Sequence, residues 1–115
     1  MRLVIIESPL AASDHTTTEQ NIVYAKLALF DSILRGEAPF ASHLLYPQVL
    51  NDNDPSERAI GMSMGWEWFR AATLIAFYTD LGMSDGMVKA LDHVIKHHLK
   101  HEFRRIECLQ SIQPT

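Results

Sequence analysis

Leu3-Val4-Ile5-Ile6 is an unbroken apolar run, and it stops abruptly at Glu7-Ser8-Pro9. A strand with one wet face alternates apolar and polar residues. A β-branched run without alternation has both faces covered, the condition of a central strand in a parallel sheet. Leu74-Ile75-Ala76-Phe77-Tyr78 repeats the pattern and ends at Thr79-Asp80-Leu81-Gly82. Two such strands need helices on both sides, and the intervening sequence has to supply them.

Thr16 and Glu19 have the spacing of a capping box, so a helix is expected from about Thr17 to Arg35. Val23, Leu27, Phe30 and Leu34 recur on one face of it, and Gly36 falls just past its end. Pro39 through Leu45 reads as a second strand, with proline at its tolerated start. Asp54-Pro55-Ser56-Glu57 combines an N-cap, a first-turn proline and an acid, and opens a second helix. That helix carries Ile60, Met64, Trp68 and Ala71 on one side and Met62, Trp66 and Phe69 on another. Either its large side chains fill a deep core, or the helix over 57–72 also meets another copy of the chain in a homo-oligomer. Ser84 caps a third helix through Met87, Leu91, Val94 and Ile95 that ends near His98, and Phe103 to Cys108 can form a last strand.

Strands alternating with helices over 115 residues specify one small three-layer α/β domain of about four parallel strands, with right-handed connections and order 2-1-3-4. The domain is expected over 1–108, with 109–115 as a tail. Ten Lys and Arg against 14 Asp and Glu give a net charge of -4, which provides no broad field for a nucleic acid polymer or a membrane surface. No segment approaches the roughly 20 apolar residues of a membrane span. The first apolar run is cut by Glu7 without a signal-cleavage pattern, and the single cysteine, Cys108, suits a reducing, cytoplasmic setting.

In an open parallel sheet, ligands bind beyond the carboxyl ends of the strands where the order reverses, here between the first and third strands. The segments delivered there are Glu7-Ser8-Pro9-Leu10, Tyr78-Thr79-Asp80-Leu81-Gly82 and Ser84-Asp85-Gly86-Met87. Glu7 and Asp80 are acids that can bind sugar hydroxyls or divide acid, base and nucleophile roles in glycosidic chemistry. Ser8, Ser84 and the amides near Gly86 can hold a phosphate at a helix start, against competition from Asp85. The glycines form neither a dinucleotide fingerprint nor a Walker A loop, which argues against a dehydrogenase and a P-loop ATPase. His93, His97 and His101 recur every four residues without the HExxH context of a catalytic metal site, so a solvated helix end is favoured and no metal or other cofactor is expected. His43 and His15 can approach a ligand from loops or strand ends.

The segments IIESPLAA, SHLLYPQVL, GMSMGWEW and FYTDLGMSDGM, in that order, resemble the small relatives of nucleoside 2-deoxyribosyltransferases often encoded by phages and bacteria. The resemblance spans roughly Leu3 to Ile106. It implies a Rossmann-like or flavodoxin-like sheet, a nucleoside or nucleotide-like ligand, N-glycosidase or deoxyribosyl-transfer chemistry, and homo-oligomers whose neighbouring subunit completes the pocket. Glu7-Ser8-Pro9-Leu10 resembles that family's opening segment, Asp80 its sugar-orienting aspartate, and Ser84-Asp85-Gly86-Met87 its helix-start motif. The resemblance would place the nucleophile at Ala90, which has no such chemistry. Either another acid, Glu7, Asp85 or Glu67, takes the role, or the chain binds or sequesters a nucleotide metabolite without cleaving it.

Overall fold

The two unbroken apolar runs lie side by side at the centre of the sheet. The computed structural model describes residues 1–106, with strands β1 (Leu3–Glu7), β2 (Ala38–Phe40), β3 (Leu74–Tyr78) and β4 (His101–Arg104). They pair in parallel in the order β2-β1-β3-β4, as expected. The helices are α1 (Thr18–Leu34), α2 (Ser42–Leu45), α3 (Pro55–Glu67) and α4 (Asp85–Lys96), with 3-10 turns at Tyr46–Gln48 and Phe69–Ala71. Cys108 and the expected tail over 109–115 lie outside the described residues. No helix among the described residues is long and apolar enough to cross a membrane.

Alternation along the central strands divides the core in two. Val4, Ile6, Leu74, Ala76 and Tyr78 face α1, where they pack with Tyr24, Ala28 and Ile106. Ile5, Ile75 and Phe77 face the other way, against Phe69 and the Met87, Ala90 and Val94 stripe of α4. Both faces are therefore covered, which is why neither run contains a polar residue.

The sequence expectations for α1 are corrected in two respects. Its cap is Thr17 with Gln20, the two exchanging side-chain and backbone bonds, instead of Thr16 with Glu19. Of the expected core row only Leu27 packs against the core, while Val23 is 58% exposed, Phe30 52% and Leu34 61%. The buried face is Asn21, Tyr24, Ala25, Ala28, Asp31 and Ser32. Small residues let the helix approach the sheet closely, and each polar one has a built-in partner. Asn21 Nδ2 donates to the carbonyls of Leu10 and Ala11, Ser32 donates to Glu37, and Tyr78 Oη donates to Asp31 at 2.7 Å.

Three other boundaries move. β2 stops at Phe40, where its register with β1 ends, and residues 42–45 form α2 instead of continuing the strand. α3 ends at Glu67, so Phe69 lies in the following turn, fully buried, while Ile60, Met64 and Trp68 remain exposed. β4 occupies His101–Arg104, before most of the expected Phe103 to Cys108 segment. The N-caps Asp54 and Ser84 are as the sequence indicates, each accepting from a first-turn amide. Gly65 of α3 lies so close to α2 that a Cβ there would stand 2.5 Å from Ser42 Oγ.

Beneath α1 runs a buried ionic network. Arg104 Nη1 and Nη2 each donate to one Glu37 oxygen at 2.7 Å, forming a bidentate pair. Arg104 also donates to Tyr78 Oη and Glu102, while Arg2 and Ser32 donate to Glu37. Burial would raise the Glu37 pKa, but the Arg104 and Ser32 hydrogen bonds and the Arg104 charge outweigh it and hold the carboxyl at about 2.

A carboxyl whose folded pKa lies below its ordinary 4.5 stabilises the fold above that value and loses the contribution as pH falls toward about 2. Thermal melts between pH 5 and pH 2 should therefore show a decline in stability through this window that Glu37→Gln flattens. At pH 7 the same substitution leaves the buried Arg104 guanidinium with only the half-exposed Glu102 carboxylate as counter-charge, and urea unfolding should show a loss of about 3–5 kcal/mol.

Candidate functional site

Beyond the carboxyl end of β1 the chain opens a cleft of about 390 Å³. Its floor is Glu7 and Ser8 with the loop that follows, pinned from below by Asn21 of α1. One wall carries His43 of α2 and Tyr46 of the next turn. Another carries Arg58, Met62 and Trp66 of α3, and the start of α4 completes the lining.

The expected site segments divide. Glu7, Ser8, Leu10, Ser84, Asp85, Gly86 and Met87 line the cleft. Pro9, Tyr78, Thr79, Asp80 and Gly82 are not in its lining. Asp80 is engaged by α1 and the chain after β4: Tyr24 Oη donates to Asp80 Oδ2 at 2.6 Å, the Asp80 amide donates back to that phenol, and the Ile106 amide donates to the same carboxylate. Tyr78 serves the buried network, Thr79 Oγ1 donates to the Arg104 carbonyl, and Gly82 supplies a positive-φ turn. Ala90 is 1% exposed, packed between α4 and the sheet.

Two titratable groups in the cleft are uncharged at neutral pH. Burial pushes the Glu7 carboxyl up to about 8, making it a proton donor. Burial also lowers His43 to about 4, leaving a neutral imidazole whose Nε2 is 2.7 Å from Ser8 Oγ. Positive character gathers at the α4 end. The Arg58 guanidinium lies over the helix start, 3.4 Å from where a Gly86 Cβ would be, adding its charge to the helix N-terminal dipole. Asp85 offsets part of it but is shared, 4.0 Å from Arg58 and 3.0 Å from Lys89.

His43, Tyr46 and Arg58 carry more of the cleft than their sequence context conveys. His43 stands among apolar residues in ASHLLY, and Arg58 is a cation close to a helix N-terminus, where it is unfavourable unless something anionic compensates. The histidine series does not share a helix face. His93 stacks on Trp66 at 4.8 Å and meets His97 at 4.3 Å, whereas His101 lies in β4. Among the described residues, no group of three or more His, Cys, Asp or Glu side chains is arranged to hold a metal ion.

A family described as a domain of unknown function (DUF7768) matches residues 2–104, and the chain belongs to that family. No curated protein and no solved structure matches it.

The Glu7 carboxyl gives the cleft a signature in stability. Its folded pKa is raised, so its contribution is fully present below about 4.5 and is lost as pH rises through about 8. Glu7→Gln, which cannot ionise, should raise the melting temperature relative to wild type at pH 8.5 and leave it nearly unchanged at pH 4.5.

Proposed function

We propose that the cleft binds a nucleoside or nucleotide and that Glu7 acts as a general acid on the bond between base and sugar. The observation that carries this reading is a carboxyl that burial pushes toward its protonated form, set in a cleft that is also lined by Arg58 and a helix start. The size suits a small ligand, Tyr46 and Trp66 offer aromatic surface to a base, and the Arg58 end suits a phosphate. Glu7 gives its proton to the base nitrogen as the carbon–nitrogen bond breaks. Water then bonds to the anomeric carbon and returns a proton to Glu7, while Asp85 supplies negative charge opposite the developing cation. In transfer, a second base takes the place of water. The roles rest on Glu7 and Asp85 because Asp80 is committed to Tyr24 and Ile106.

One observation favours a second reading. Ala90 brings no nucleophile, and its burial keeps that position out of the cleft, which suits a protein that sequesters a nucleotide metabolite without cleaving it. A second copy is part of either proposal. Ile60, Met64 and Trp68 are 50%, 44% and 49% exposed on α3, next to the Met62 and Trp66 wall, so a homo-oligomer through this helix would cover them and border the cleft. A cytoplasmic setting belongs to the same reading.

Incubation with a panel of deoxynucleosides and their 5′-monophosphates, with free base read by chromatography, tests it. Base release should fall at least about 100-fold in Glu7→Gln, the usual scale for loss of a general acid. In wild type it should decline as pH rises through about 8. Arg58→Gln should raise KM for the monophosphates more than for the nucleosides. Saturable binding without release selects the sequestering reading, and no binding across the panel overturns both. Sedimentation of Met64→Glu checks the assembly, with a shift to monomer expected.

A further inference from the structure

The Ser8–His43 contact joins the end of β1 to α2 across the floor of the cleft, and it has a direction. His43 Nε2 lies 2.7 Å from Ser8 Oγ. The other ring nitrogen, Nδ1, is buried with no hydrogen-bond partner in the described protein. A neutral imidazole carries one N–H and one lone pair, so one of the two has to occupy the unpartnered site. Buried N–H groups without acceptors are rarer than under-used acceptors. A proton on Nε2 leaves only a lone pair at Nδ1 and gives the N–H an acceptor in Ser8.

We propose that His43 is a positioning residue: its Nε2–H donates to Ser8 Oγ and so turns the Ser8 hydroxyl proton into the cleft, toward an acceptor atom on the ligand. A serine hydroxyl both donates and accepts, and alone it would serve either kind of ligand atom. With the ring donating to one of its lone pairs, the hydroxyl keeps its proton free of His43 and can donate it into the cleft. Desolvation keeps the ring from taking the second proton that would make Nδ1 a buried, unpaired donor. Glu7, the adjacent floor residue, is also an O–H donor at neutral pH. Ser8 and Glu7 both line the cleft, and a ligand atom that meets Ser8 has to be an acceptor, such as a carbonyl oxygen or a bare ring nitrogen. This assignment deepens the nucleoside reading and rests on it for the identity of the ligand, while the hydrogen-bond direction itself does not.

Long-range nitrogen–proton correlation spectra of histidine-labelled protein at pH 7, with His43→Gln to identify the signal, test the direction without a ligand. The expected result is a protonated Nε2 and a bare Nδ1, with the Nε2 signal shifted in Ser8→Ala. A ring protonated at Nδ1, singly or with Nε2, overturns the proposal. With a nucleoside that wild type binds, Ser8→Ala and His43→Ala should each weaken binding about ten-fold, the scale of one hydrogen bond. His43→Gln, whose side-chain amide can donate to Ser8, should recover most of that loss. Equal losses in His43→Ala and His43→Gln, with melting temperatures unchanged, also overturn the proposal. If wild type binds none of the panel, the nucleoside reading fails and the ring spectrum still decides the hydrogen-bond direction.

Discussion

The bidentate pair between Arg104 and Glu37 connects the two outer strands of the sheet. Arg104 closes β4 on one edge, and Glu37 immediately precedes β2 on the other. Their side chains meet beneath α1, where Tyr78 of β3 and Ser32 of α1 complete the network. Burying two charges gains little net stability even when they are well paired, but separating them is costly, so such a pair specifies an arrangement more than it strengthens one. Slipping β4 by one residue would turn Arg104 to the opposite face and strand Glu37 under α1. Strand order, strand register and the seat of α1 are thus bound to one another through a single ion pair.

The cleft inherits its geometry from that arrangement. With β1 and β3 adjacent and parallel, the chain leaves β1 at the carboxyl edge and turns under Asn21, while α4 starts across from it. Desolvation holds Glu7 on the floor and His43 on the wall toward their neutral forms, while at the start of α4 the Arg58 guanidinium meets a helix N-terminus and the Asp85 carboxylate.

Much of this was legible in the residues and some was not, for identifiable reasons. Continuous β-branched and aromatic runs at 3–6 and 74–78 announced two central strands, and the caps Asp54 and Ser84 announced two helix starts, because these signals are local. Periodicity misses most of the buried face of α1 because it counts apolar residues. It cannot see that Asn21, Asp31 and Ser32 are made burial-tolerant by hydrogen-bond partners up to 47 residues away. Val23, Phe30 and Leu34 follow a helical repeat equally well, yet they face outward. In the cleft, residues next to strand ends and caps were recognisable. His43 stands out only as a histidine able to approach a ligand and Arg58 not at all, since their places are set by residues distant in sequence: Ser8, 35 positions from His43, and the start of α4 beside Arg58.

Gly65 gives the cleft a dependence that its lining does not display. With no side chain it lets α3 rest on Ser42, and Ser42 is the chain neighbour of His43. A methyl group at 65 would press on α2 and move the imidazole relative to the Ser8 hydroxyl. Selection on ligand chemistry is then felt at a position no ligand touches, and tolerance to substitution around this cleft is set partly by the clearance between two helices behind it.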